Sequence, residues 1–250
     1  MKGRLTAYAG YQLRDYFVMR ALPTLLASGL VALALAAARG VTPSDLDPTG
    51  GLDARDRIQQ TFELLLAAFA FVAGAVAAHG VVSHHRRRGY DRVLFSRAIN
   101  PVRYYTQGFV VAGVGAVVLG TVGAEIYAVA VHPVSLAGVA GYLALAWLLV
   151  GGLAFLLSTV TAFYLPILCL VLAADVAVDH FTGPLSAVGA GPVAAAVQLL
   201  LPPAHVLVTF RAAFARGLPI DPRAVVWPAA FGAACIVAAM VLLRRRPFRS

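Results

Sequence analysis

The chain has 250 residues, of which 60% are hydrophobic and 12% are charged, and its formal net charge is +9. Soluble domains carry roughly 25% charged residues, so this composition excludes an ordinary soluble protein. Several apolar segments reach the ~20 residues that a membrane-spanning helix needs. We therefore predict an all-α, polytopic membrane protein with a single transmembrane domain over residues 1–250.

The basic residues are distributed in a way that predicts topology. Arginines cluster at both ends of the chain and in the segment 83–105, while the intervening polar stretches hold most of the acidic residues. This pattern follows the positive-inside rule and needs no nucleic-acid partner. It places both termini in the cytoplasm and the protein in the inner or plasma membrane, with an even number of spans.

Six spans are expected in chain order. Residues 1–20 combine basic side chains with tyrosines and predict an amphipathic helix on the cytoplasmic surface. A polar loop at 40–60 follows the first span, and a short tether at 158–164 separates the fourth span from the fifth, which ends near Val178. The other predicted spans are approximately 17–38, 61–82, 105–131, 135–157 and 224–243.

The segment 179–223 is moderately apolar but is broken by many Gly and Pro residues. The stretch Ser186–Leu201 has a helical composition but is short and interrupted. If it crossed the membrane, the basic C-terminus would face outward, against the charge rule. We therefore predict that it is a re-entrant or surface helix on the outer side.

The basic segment 83–104 joins the second span to the third. Gly89 ends the preceding helix, Asp91 favours the start of a short new helix, and Pro101 ends that helix. A short cytoplasmic helix across the ends of two spans fits the cleft of a protein partner. A basic loop held at anionic lipid headgroups fits the same residues.

Three stretches resemble type-2 ABC exporter permeases, and the resemblance covers essentially the whole chain. The run from Gly89 to Tyr105 (GYDRVLFSRAINPVRYY) resembles the family's segment between spans two and three. LLSTVT from Leu156 resembles the hairpin between spans four and five, although it lacks the charged residues often found there. LLPPAH from Leu200 resembles the segment before the last span.

The resemblance implies a half-transporter. Two such subunits, identical or different, would form the pathway, and two separate ATPase subunits would dock on the cytoplasmic face. The segment 89–101 would be the coupling helix that contacts the ATPase, through Tyr90, Asp91, Arg92, Leu94, Phe95, Arg97 and Asn100.

The lysine content agrees with this division of labour. A phosphate-binding GxxxxGK[ST] loop requires a lysine after its glycines, and the sole lysine of the sequence is Lys2. We therefore predict that ATP and Mg²⁺ bind a partner chain. For this chain we predict a transport subunit that has no enzymatic activity, no metal site and no cofactor.

Three acidic residues fall in or near the predicted spans: Glu63, Glu125 and Asp175. Ionisable groups in spans are costly and are functional candidates, so these residues are candidates for a substrate pathway. Alternatively, they lie at the membrane–water interface or cap the ends of helices.

Two other classes of function remain open. A proton-coupled secondary transporter would use Glu125 or Asp175, although no inverted repeat of the kind common in such proteins is visible. An intramembrane hydrolase would pair Ser158 or Ser186 with His180 or His205, although nothing in the sequence fixes their geometry.

Overall fold

The computed structural model describes residues 21–38, 52–79, 100–187 and 201–245, together with residues 192 and 197. Over these ranges the chain is helical, with no strand. The predicted surface helix at 1–20 lies outside the described residues. Residues 83–99 of the basic segment and most of the stretch 186–201 also lie outside them.

Seven helices lie in the described part of the chain. They are α1 (Leu22–Ala38), α2 (Leu52–His79), α3 (Pro101–Ala130), α4 (Leu136–Val160), α5 (Tyr164–Ala187), α6 (Ala204–Arg216) and α7 (Pro222–Arg245). Helix α4 contains a π-helical turn at Trp147–Gly151.

Five of these helices are long and apolar enough to cross a membrane. The stretches that meet this description are Asp56–Val76, Val102–Ala130, Leu136–Val160, Tyr164–Phe181 and Pro222–Arg245. Helix α1 is also apolar, and its 17 residues correspond to about 26 Å at 1.5 Å per residue. Five candidate spans are therefore present in the described residues, where six were predicted for the chain.

Several helix boundaries differ from the prediction. Helix α2 begins at Leu52 rather than at Thr61, because Ala, Arg and Gln are good helix formers once the Gly and Pro residues of the loop have passed. Helix α5 continues to Ala187, beyond the predicted end near Val178. Helix α3 begins at Pro101 rather than at Tyr105.

The start of α3 is fixed by its N-cap. The side-chain oxygen of Asn100 accepts hydrogen bonds from the backbone N–H groups of Val102 and Arg103, at 3.0 and 3.4 Å. Pro101 fits the first helical position because that position has no intrahelical use for an N–H group. Pro101, which was predicted to end the coupling helix, thus occupies the first position of the next span.

The helices pack around α4, to which α3 runs antiparallel. Phe62 of α2 stacks on Tyr127 of α3 with ring centroids 4.1 Å apart, while Phe109 at the other end of α3 contacts Trp147 and Phe155 of α4. Buried residues make up 72% of the α4 span but only 17% of the α5 span. The core is therefore centred on α4, and the other helices keep large apolar faces exposed.

Helix α7 crosses α4 at the π-helical turn. Gly232 lies so close to α4 that a Cβ atom there would come within 2.2 Å of the carbonyl oxygen of Leu148. Gly152 faces the same contact, since its added Cβ would lie 2.7 Å from the carbonyl oxygen of Gly232. Two glycines thus allow the backbones of α4 and α7 to touch.

Helix α6 packs against the first half of α4. It starts beside Asp175, which lies about 16 Å along α5 from Tyr164 at 1.5 Å per residue. It ends at Ser135, where α4 begins, because the backbone N–H of Ser135 donates to the carbonyl of Ala215 at 2.8 Å. Helix α6 is about 19 Å long, and it extends from the middle of the bundle to the end at which α4 begins.

Candidate functional site: the polar residues of helix α6

The first turn of α6 is capped by a residue of another helix. Its N-cap residue is Pro203, which provides no side-chain acceptor. Asp175 of α5 supplies one: a carboxylate oxygen accepts the backbone N–H of His205 at 2.7 Å. An anionic side chain is favourable at this position because the helix dipole places partial positive charge at the N-terminus.

Asp175 also binds the side chain of His205. The imidazole Nδ1 lies 3.0 and 3.1 Å from the two carboxylate oxygens, which makes Nδ1 the protonated nitrogen. Asp175 is fully buried. The hydrogen bond to Asp175 raises the pKa of His205 above its usual value, burial opposes this increase, and the charges of Asp175 and Asp179 add to it.

The last turn of α6 carries a second ion pair with a buried carboxylate. Nη2 and Nε of Arg216 lie 3.1 and 3.2 Å from Oε1 of Glu63 in α2. Glu63 is only 3% exposed, whereas the side chain of Arg216 is 45% exposed. Arg216 therefore neutralises a carboxylate that would otherwise be buried and unpaired.

The end of α6 has the geometry of a Schellman motif. Gly217 adopts φ = 67°, its N–H bonds to the carbonyl of Phe214, and the N–H of Leu218 bonds to the carbonyl of Ala213. Glycine suits this left-handed conformation because it has no Cβ. The sequence thus ends α6 directly after Arg216 and holds that side chain beside Glu63.

Between these two ion pairs lies Arg211, on the face of α6 that packs against the bundle. The buried residues Ala204, Leu207 and Ala215 recur at helical spacing, and Arg211 occupies the intervening position. Its Nη1 donates to the carbonyl of Val208 within α6. Its Nε is buried and has no hydrogen-bond partner among the described residues.

Tyr142 of α4 faces the same part of α6. Its ring contacts that of Phe214, with centroids 5.7 Å apart. Tyr142 is fully buried, and its hydroxyl has no hydrogen-bond partner among the described residues. Two polar atoms in this region, Nε of Arg211 and the hydroxyl oxygen of Tyr142, thus have no hydrogen-bond partner among the described residues.

The structure brings two of the three predicted pathway acids to one element. Glu63 and Asp175 lie on different helices, and each contacts one end of α6. Asp175 caps the start of α6, as the alternative interpretation of these acids expected. Glu125 is elsewhere, exposed on the outward side of α3 beside Val122 and Ile126.

Sequence reasoning missed the basic partners of these acids. His205, Arg211 and Arg216 are separated by six and five residues, a spacing that does not place them on one helical face. The sequence feature that could have identified this helix is the amphipathic stretch Ala204–Arg216, bounded by Pro202–Pro203 and Gly217. Long-range pairing, across 153 positions for Arg216 and Glu63, leaves no local pattern.

The predicted contacts of the coupling helix are described only at its end. Asn100 lies at the N-cap of α3, with its side chain bonded to the backbone of that helix. The other six residues, from Tyr90 to Arg97, lie outside the described residues. Their role as an ATPase contact stays a prediction.

Two of the residues considered for a hydrolase have other partners. Ser158 donates to the carbonyl of Phe155 in its own helix at 2.8 Å, and His205 is held by Asp175. Over the described ranges, no cluster of three or more His, Cys, Asp and Glu side chains is arranged to bind a metal ion.

An apolar cavity of about 170 Å³ lies between α1, α2 and α3. Leu25 and Phe69 are among its lining residues, and Tyr127 contributes a hydroxyl without a hydrogen-bond partner among the described residues. The cavity is separate from the buried surface around Arg211 and Tyr142, since neither residue lines it.

The five apolar helices of the described residues are those of a multi-pass helical membrane protein. No protein-family model, no curated protein and no solved structure matches this chain. Its function is therefore inferred from its sequence and geometry.

Proposed function

We propose that this chain is the membrane-spanning permease subunit of an ATP-driven exporter of the type-2 ABC class. In this proposal α1 is the first of six spans, and both termini are cytoplasmic. The observation that carries the proposal is α6, a short polar helix held within one end of an apolar bundle, directly before the last span. We interpret α6 as the rising arm of a re-entrant segment.

The position of α6 supports a role in the transport pathway. It contacts α2, α4, α5 and α7, and its basic residues reach buried acids on α2 and α5. Ionisable residues within spans are characteristic of substrate and ion pathways. In this proposal Glu63 and Asp175 hold α6 in place, so that breaking either pair frees one end of the helix.

Helix α3 provides a continuous connection from the coupling segment to this site. It is one helix of 30 residues, begins at the Asn100 cap and ends beside Phe62 and Glu63 of α2. A rigid helix transmits displacement along its axis without loss at a joint. Movement of an ATPase against Arg92 and Arg97 would therefore reach the opposite end of the bundle.

A second permease subunit would cover an exposed apolar face. Helix α3 exposes Val110, Val114, Val118, Val122 and Ile126, which recur every four residues. Lipid chains can cover these apolar side chains as well as a protein surface can. They cannot solvate the carboxylate of Glu125, which is exposed beside Ile126. Glu125 therefore favours a protein partner or the membrane–water boundary at this end of α3.

Co-purification with the ATPase tests the proposal. The chain, expressed with a candidate ABC ATPase subunit, is expected to retain that subunit through purification. Arg92→Glu with Arg97→Glu should remove most of the bound ATPase. The matched control reverses Arg244 and Arg245, which are exposed at the end of α7, and should leave association intact. Equal association of both double variants would refute the coupling assignment.

The second candidate function is proton-coupled transport without an ATPase. The observation that favours it is the pair formed by buried Asp175 and partly buried His205, since a carboxylate and an imidazole in contact form a group that can take up and release a proton. Proteoliposomes containing the chain alone would then show proton uptake under a pH gradient. Asp175→Asn would abolish this uptake. Glu125→Gln tests whether the other predicted acid is also needed for it.

A further inference from the structure

We infer that the cavity between α1, α2 and α3 is a binding slot for one acyl chain of a membrane lipid. Its volume is about 170 Å³. An apolar cavity of ~150 Å³ admits a benzene-sized molecule, so this one has room for a comparable length of hydrocarbon, about six carbons. The inference goes beyond the proposed function, because it requires neither an ATPase nor a transport cycle.

The walls of the cavity are almost entirely apolar. Helix α2 contributes Leu66 and Phe69 among others. Ser28 and Tyr127 are the only polar side chains among the lining residues, and the Ser28 hydroxyl already donates to the carbonyl of Thr24 at 2.6 Å. A buried water molecule needs about two to four polar partners. Hydrocarbon therefore suits this space better than water does.

The cavity opens at the surface of the bundle. Leu25 and Leu65 line it and are 45% and 41% exposed, and Gly123 lines it and is also exposed. Leu25 lies on the same face of α1 as Leu22 and Leu26, which are both exposed. In a membrane protein an exposed leucine face of this kind is covered by lipid chains, which are as apolar as leucine. A chain can therefore enter the cavity directly from the bilayer.

A glycine keeps one wall of the cavity free of side-chain atoms. A Cβ added to Gly123 would meet no described atom within 4 Å. One added to Gly120 would lie 2.5 Å from Leu143 and 2.8 Å from Phe69. Gly120 thus brings α3 close to its neighbours, while Gly123 borders open space. Side chains around an empty space lose dispersion contacts, and a hydrocarbon chain would restore them.

The size and charge of the cavity distinguish a lipid chain from other occupants. An α-helix with its side chains is about 10–12 Å across, so a partner helix does not fit into a space of about 170 Å³. Among the described residues that line the cavity, none is acidic or basic. We therefore expect the slot to recognise the hydrocarbon chain and not the headgroup.

Photo-crosslinking in nanodiscs is the first test. The purified chain is reconstituted with a phosphatidylcholine that carries a diazirine in one acyl chain, illuminated, and mapped by mass spectrometry. We expect label on Leu66 and Phe69, which line the cavity but are only 4% and 6% exposed and so are reached only by a chain inside it. Gly123→Leu should remove most of this label, because its side chain would occupy the space.

Gly29→Leu is the matched control. Gly29 is exposed on α1, has no described atom within 4 Å of an added Cβ, and does not line the cavity. This variant should leave the label on Leu66 and Phe69 unchanged, and a phosphatidylglycerol with the same diazirine chain should give the same pattern. Label confined to exposed residues such as Leu22, or equal label on the buried residues in both variants, would overturn the inference.

Thermal unfolding in a steroid-based detergent, which has no alkyl chain, is the second test. Added long-chain phosphatidylcholine should raise the Tm of the native protein and of Gly29→Leu, because a ligand stabilises the folded state that it binds. It should raise the Tm of Gly123→Leu much less. An equal rise in all three proteins would overturn the inference.

A side chain from a second copy of the chain is the alternative occupant of the cavity. In that case Gly123→Leu would change the oligomeric state in size-exclusion chromatography and leave the lipid label unchanged. That result would also overturn the inference. An unchanged oligomeric state together with the loss of label is the result expected for a lipid chain.

Discussion

At the scale of single residues, two buried carboxylates are neutralised by side chains of one short helix. Asp175 receives a backbone N–H and an imidazole from the start of α6, and Glu63 receives the guanidinium of Arg216 at its end. Burying an ionised carboxylate without such partners is strongly unfavourable. The acids therefore help to hold α6 in place, and α6 in turn makes it possible to bury them.

The contact between Asp175 and His205 predicts a pH-dependent stability. The hydrogen bond to Asp175 holds the pKa of His205 above its usual value, and the negative charge of Asp179 adds to this increase. Protonated His205 therefore stabilises the folded state fully below pH ~6.5, the ordinary imidazole value. This contribution is lost as the pH rises through the higher pKa of the folded state.

Thermal unfolding across pH 5.5–8.5 measures this effect. The Tm difference between the native protein and His205→Gln should be largest at low pH and should shrink as the pH rises. His180→Gln is the matched control, since His180 is exposed on α5, and its Tm difference should not follow this trend. A difference for His205→Gln that is constant over the range would contradict the assigned pair.

At the scale of elements, the crossing of α4 and α7 depends on Gly232. We predict that Gly232→Ala destabilises the protein by about 1–3 kcal/mol, the usual cost of overpacking, because the new Cβ would meet the Leu148 carbonyl. Gly123→Ala is the control, because nothing lies within 4 Å of its added Cβ. Unfolding in detergent that shows equal stability for both variants would contradict the close crossing.

The long helices were predictable from the sequence, and α6 was not. Apolar runs of span length stand out because they need no partner to be recognised, so α3, α4 and α7 begin and end within four residues of the prediction. The start of α2 was predicted too late, because its first turns are polar and their residues were assigned to a loop. The packing of α6 depends on Asp175 and Glu63, whose partners are distant in sequence.

The candidate site was predictable only in part. Glu63 and Asp175 were singled out because acids in apolar helices are rare, and both reach α6. The lack of a hydrogen-bond partner among the described residues for Nε of Arg211 and the hydroxyl of Tyr142 is a property of the tertiary packing. No periodicity in the sequence reports that.

At the scale of the whole molecule, labelling of introduced cysteines tests the proposed topology. In a background without Cys169 and Cys235, a cysteine at Leu218, which is exposed between α6 and α7, should react with an impermeant maleimide in intact cells. Cysteines at Gly3 and Ala162 should react only after permeabilisation. Labelling of Gly3 from outside would mean that α1 does not cross, and six spans would be wrong.

The central claim is that this chain transports in partnership with an ATPase, and ATP turnover in a reconstituted complex tests it most directly. The chain alone in proteoliposomes should hydrolyse no ATP, while the complex with its ATPase should hydrolyse ATP at a rate that Arg92→Glu with Arg97→Glu reduces at least ~10-fold. Reversal of Arg244 and Arg245 should leave the rate unchanged. ATP turnover that is the same with and without the chain would contradict the account.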